Sequence, residues 1–139
     1  MEKVVAAVDW GGTKVLAGLV SSSGSVLSSR RIPTPRGGPE EVLRKATDLL
    51  EETAREMGLS LGDLPGIGLT VPRRVRPGSG ILAYAPAHQL TNVPVEQLLA
   101  SLARIPVIAC NDSSRTNSKA DWYVWADLIV NRLSNMSVP

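Results

Sequence analysis

Two short stretches carry the residue types that phosphate and proton chemistry require. The first is Asp9-Trp10-Gly11-Gly12-Thr13-Lys14. It lies between the apolar runs Val4-Val5-Ala6-Ala7-Val8 and Val15-Leu16-Ala17-Gly18-Leu19-Val20, which read as strands. A carboxylate, two glycines, a hydroxyl and a lysine therefore meet at a tight turn. Glycine lets the backbone approach a ligand and take a positive φ. Successive exposed N–H groups in such a turn form a concavity for an anion. Asp9, ending the first strand, can orient Mg²⁺ directly or through water. The turn suits the phosphates of a nucleotide, although Gly-Gly between two strands is also the mark of an ordinary hairpin. The second stretch is Asn111-Asp112, which follows the apolar run Val107-Ile108-Ala109-Cys110. A carboxylate there can take the proton of a hydroxyl group. The bland alternative for the pair is a turn or a helix N-cap.

The elements that must position these residues follow from the pattern. Strands are expected at Val4–Asp9, Val15–Ser21 and Val26–Pro33, with a Ser-Ser-Gly turn at 22–24, forming an antiparallel meander. A helix is expected from Pro39 to Met57, stopped by Gly58, with Val42, Ala46, Leu49, Leu50 and Thr53 at helical spacing. Glu40 and Glu41 fall in its first turn, where the helix dipole favours them. Gly66–Val71 is apolar on both faces and reads as a central strand. A loop rich in Pro, Gly and Arg follows, with a short edge strand expected at Gly80–Tyr84. A second helix at Pro94–Arg104 places Val95, Leu98, Leu99 and Leu102 on one face, and Val107–Cys110 is a fifth strand. The order βββαβαβ gives an α/β fold, a mixed five-stranded sheet with flanking helices. Ligands gather at the carboxyl ends of parallel strands in such sheets. Asp9 and Asp112 both fall at that edge.

Bulk properties exclude several classes. The 139 residues suit one domain, and a hydrophobic fraction of 43% supports a core. Fifteen cations against thirteen anions leave a net charge of +2. The clusters Arg30, Arg31, Arg36 and Arg73, Arg74, Arg76 are too short and too poor in aromatic neighbours to argue for nucleic acid. No helix-turn-helix pattern precedes the first strand, which argues against a DNA-binding repressor. One cysteine, Cys110, permits no internal disulfide and reads as a small buried hydrophobe. Met1-Glu2-Lys3 leads straight into a strand rather than a secretory leader, and no apolar run is long enough to span a membrane. The expectation is a cytoplasmic protein.

The motifs Asp9-Trp10-Gly11-Gly12-Thr13-Lys14, Gly66-Ile67-Gly68-Leu69-Thr70-Val71-Pro72 and Asn111-Asp112, in that order, resemble those of the ROK family. That family groups glucokinase-like sugar kinases with sugar-responsive repressors and belongs to the actin-like ATPase superfamily. The resemblance covers about residues 3–112 and implies a ribonuclease-H-like lobe. It implies that Asp9, Gly11, Gly12, Thr13 and Lys14 bind ATP phosphates and that Asp9 helps place Mg²⁺. It implies that Asn111 and Asp112 contact a hexose or N-acetylhexosamine, with Asp112 as the general base. The chemistry is coherent, because a sugar hydroxyl is a poor nucleophile and a carboxylate can take its proton as the phosphoryl group transfers.

The chain also departs from the family. Arg73 and Arg76 stand where Gly and Asp usually follow Val-Pro, and Ala87-His88-Gln89-Leu90 replaces the Asn-Leu of the sugar-side loop. Ser113-Ser114-Arg115-Thr116-Asn117 replaces the small residues after Asn-Asp. His88, the single histidine, has no partner at ligand spacing, and the family's zinc motif belongs to a second lobe, so no zinc is expected. The chain is thus expected to be one N-terminal lobe over residues 1–139, with a divergent, partly helical tail at 113–139. Trp122, Trp125 and Ile129 share one helical face there. They read as a core helix, or alternatively as an interface helix through which the chain forms a homo-oligomer. Three functions stay open: a sugar kinase lobe, weakly active or inactive alone; a non-catalytic nucleotide- or sugar-binding regulatory module; and a subunit that completes its cleft by oligomerisation.

Overall fold

The computed structural model describes residues 4–21, 25–71, 74–75, 82–85 and 90–111, with 74–75, 82–85, 90–93 and 110–111 described by their backbone alone. Three strands open the chain: β1 (Val4–Trp10), β2 (Lys14–Ser21) and β3 (Val26–Pro33). Their short connections force antiparallel pairing, with Val8 opposite Ala17 and Leu16 opposite Arg31. Helix α1 (Pro39–Glu56) follows, then a 3-10 turn at Leu61–Asp63 and strand β4 (Ile67–Val71). After β4 come β5 (Arg74–Val75), β6 (Leu82–Ala85), β7 (Leu90–Val93), helix α2 (Val95–Ala103) and β8 (Val107–Asn111).

The main sheet has the order β3-β2-β1-β4-β8, antiparallel through β1 and parallel from β1 to β8. The expected mixed five-stranded sheet is therefore present, and β4 is interior to it with all five residues buried. β5, β6 and β7 form a separate antiparallel sheet of three strands. The sequence pattern shows only one of these, because two- and four-residue strands are too short to display a period.

Local chemistry sets the helix ends. Pro39 occupies the first turn of α1, where a missing N–H costs nothing. At the other end Gly58 takes φ +72°. Its N–H bonds to the Arg55 carbonyl at 3.0 Å and the Leu59 N–H to the Ala54 carbonyl at 2.8 Å. This pair of bonds is the Schellman stop that Gly58 predicts. α1 buries Val42, Leu43, Ala46, Leu50 and Ala54, and it packs against β2 and α2. Leu49 is only partly buried, at the margin of that stripe. Thr47 and Thr53 are buried without penalty because each hydroxyl donates to the carbonyl four residues back, at 2.8 and 2.7 Å. The core centres on Trp10, Leu19, Leu43, Leu50, Ile67, Leu69 and Leu99. Each such side chain contributes about 1.5–3 kcal/mol by burial. Among the described residues no helix is long and apolar enough to cross a membrane.

Candidate functional site

The site begins at the turn between β1 and β2. Trp10 pairs with Val15, and the Gly11 N–H bonds to the Lys14 carbonyl at 2.9 Å. Gly12 and Thr13 are left as a two-residue tip. A Cβ on Gly11 would lie 2.8 Å from the Lys14 carbonyl oxygen, so only glycine closes this turn without displacing backbone. At Gly12 an added Cβ would meet nothing within 4 Å. The described glycines with positive φ are Gly38 and Gly58, so the turn uses close approach at Gly11 rather than the left-handed conformation that a Gly-Gly pair suggests. Thr34 fastens the turn from the far side. Its hydroxyl donates to the Gly11 carbonyl at 2.9 Å and its N–H to the Thr13 carbonyl at 3.0 Å. Gly12, Thr13 and Lys14 are exposed.

Asp9 sits one layer deeper, 8% exposed. Strand pairing places it beside Leu16 on β2 and Thr70 on β4. The Thr70 hydroxyl donates to Asp9 Oδ1 at 2.7 Å, and Thr70 itself is fully buried. Donation to a carboxylate oxygen is a charge-assisted bond that fixes the carboxylate plane. Register carries the row onward: Thr70 pairs with Cys110, and Val71 with Asn111. The backbone of Asn111 thus lies at the carboxyl edge that also holds Asp9, two strands away, or roughly 10 Å at the usual interstrand spacing. Asp112, the expected base, lies outside the described residues, as do Arg73, Arg76, His88, Trp122, Trp125 and Ile129. The side chains of Cys110 and Asn111 are likewise outside the description.

The sequence stretch containing Thr70 is apolar, so one hydroxyl in a strand of Ile, Leu and Val is itself a signal, and the structure gives it a partner. Thr34 carries no comparable signal, because a threonine in a Pro-Gly loop is unremarkable by type. Among the described residues no group of three or more His, Cys, Asp or Glu side chains gathers to hold a metal ion. Asp9 is a single buried carboxylate beside an exposed glycine turn, and Mg²⁺ is commonly bound through one or two carboxylates while keeping several waters. Asp9 alone does not make a self-sufficient metal centre.

The model of the ROK family matches residues 5–126. The glucokinase of Streptomyces coelicolor is 27% identical over 108 residues, which are 77% of this chain and 32% of that protein. The N-acetylmannosamine kinase of Shigella flexneri is 31% identical over 111 residues, 78% of this chain and 36% of that protein. The ROK family glucokinase of Streptomyces griseus, solved in complex with glucose and AMPPNP, superposes with a TM-score of 0.70 at 23% identity. That superposition covers 81% of this chain and 34% of the other. The chain spans about a third of the length of the curated relatives it matches.

Proposed function

This chain belongs to the ROK family, and from that premise we propose that it forms the N-terminal lobe of a sugar kinase. In this reading residues 1–139 are a single lobe that transfers the γ-phosphoryl group of ATP to a hydroxyl of a hexose or N-acetylhexosamine in the cytoplasm. The observation that carries it is the Thr70–Asp9 bond behind the Gly11–Lys14 turn, on the carboxyl edge that β8 brings Asn111 to. The turn offers backbone N–H groups and Lys14 to the phosphates. Asp9, held by Thr70, would orient Mg²⁺ through its waters, and the ion would offset charge on the phosphoryl oxygens. Asn111 would bind the sugar, and Asp112 would take the hydroxyl proton as the O–P bond forms. The relatives named above act on glucose and N-acetylmannosamine, and one neighbour holds a nucleotide analogue; these are the grounds for the substrate and cofactor classes.

A second reading is a binding module without turnover, alone or completed by self-association. The departures of Arg73, Arg76 and Ala87-His88-Gln89-Leu90 from the family's sugar-side pattern favour it. One experiment separates the two. ATP turnover is measured against a panel of hexoses and N-acetylhexosamines, with Asp112→Asn as the control. Sugar-dependent turnover that the substitution abolishes supports the kinase. Saturable sugar or nucleotide binding with no turnover above the control overturns phosphoryl transfer by this chain alone and favours the module.

A further inference from the structure

Glu96 lies in the first turn of α2. Its Oε1 accepts the backbone N–H of Ala109 at 2.8 Å. Ala109 is in β8, the outermost strand on that side of the main sheet, where it pairs with Leu69 of β4. Every second amide of an edge strand points away from its neighbour and lacks a ladder acceptor. Glu96 supplies one, and a carboxylate makes the bond charge-assisted.

The topology explains why this helix reaches that amide. α2 enters β8 through a short turn at residues 104–106, in which Arg104 takes φ 62°. The helix therefore runs back along the strand, and its first turn reaches Ala109 at the middle of the strand. The bond falls two residues before Asn111 and three before Asp112 in the chain.

We propose that Glu96 is a positioning residue for the end of β8 that carries Asn111. The proposal rests on the sugar-kinase reading. Glu96 touches neither the phosphate turn nor, in this reading, the substrate. It holds the edge backbone that leads to Asn111 in one geometry. The acceptor is what matters, and glutamine keeps an acceptor oxygen where alanine has none.

The test compares the parent chain with Glu96→Gln and Glu96→Ala. Three quantities are read: sugar affinity by calorimetry, kcat and KM for sugar-dependent ATP turnover, and amide exchange of the segment 107–111. Glu96→Ala is expected to lose about tenfold in kcat through misplacement of the sugar-contacting residues. Its Ala109 amide should exchange faster, and it should remain folded at the assay temperature. Glu96→Gln should stay within about threefold of the parent, since a neutral acceptor still holds the amide. A purely structural bond would lower the melting temperature and leave kcat of the folded chain unchanged. Equal kcat, KM and affinity in parent and both variants would overturn the proposal and leave the kinase reading standing. Equal damage in Glu96→Gln and Glu96→Ala would also overturn it, because the charge would then act in place of the acceptor. A parent that neither binds nor phosphorylates any sugar would sink the kinase reading, and the positioning role with it.

Discussion

Replacing Thr70 with valine keeps the shape of a buried side chain and deletes one hydroxyl. That hydroxyl donates to Asp9 Oδ1 at 2.7 Å, and Asp9 is only 8% exposed. Water cannot enter freely to replace the lost donor, so the carboxylate stays buried with one bond fewer. Hydrogen bonds to charged groups contribute about 1.5–3 kcal/mol, which sets an expected loss of about 2 kcal/mol for Thr70→Val. For a chain of this size that corresponds to a fall of roughly 6–10 °C in melting temperature. Thr70→Ser is the control: it keeps the hydroxyl and loses one methyl, at about 1 kcal/mol. The assay is urea unfolding of both variants, repeated in an Asp9→Asn background. There the bond has lost its charge assistance, which is about half of its strength, so the cost of Thr70→Val should shrink by about 1 kcal/mol. A cost for Thr70→Val no greater than that of Thr70→Ser would refute the reasoning. So would a cost that is unchanged when Asp9 is already asparagine.

Gly18→Ala should destabilise the chain by about 1–3 kcal/mol, because the added Cβ would lie 2.7 Å from the Ser28 carbonyl oxygen and β2 and β3 must separate to admit it; thermal unfolding reads this directly. Arg104→Gly should go the other way. Arg104 holds φ 62° at the C-terminal end of α2, a conformation that costs a side-chain-bearing residue about 1 kcal/mol. The extra backbone entropy of glycine in the unfolded chain offsets part of that, for a net gain of about 0.5 kcal/mol in unfolding free energy.

Much of the architecture is legible from the order of residues. The apolar runs give β1, β2, β4 and β8, and Gly58 marks the end of α1 through a bond pattern that glycine favours. β1 runs one residue further than the pattern suggests, because Trp10 is fully buried and still paired with Val15. The β5-β6-β7 sheet is only glimpsed in sequence, since its pairing depends on contacts between very short segments. In the site, Asp9 and the glycine turn are legible by residue type. The mechanism of the turn is not: Gly11 matters for its closeness to the Lys14 carbonyl, and that distance exists only once β1 and β2 are paired. Thr70 and Asp9 are 61 residues apart in the chain, and Glu96 and Ala109 are joined across a helix and a strand. Such partners follow from how distant elements pack together, which the residue types at either position do not show by themselves.

The Thr70–Asp9 bond spans β1 and β4, the two adjoining strands at which the sheet changes from antiparallel to parallel. The backbone pairing that holds the two side chains together lies in strands whose residues are almost wholly buried, and such paired segments open at the high end of the stability range. The tip at Gly12 and Thr13 is exposed and opens for far less. The site therefore has two tiers of durability a few ångströms apart. In the proposed kinase reading, a phosphate arriving at the tip would meet backbone that can still settle around it, beside a carboxylate that Thr70 already holds. Ordering on binding is accordingly expected at the tip, and among the described residues the paired amides of β1 and β4 are expected to be among the slowest to exchange.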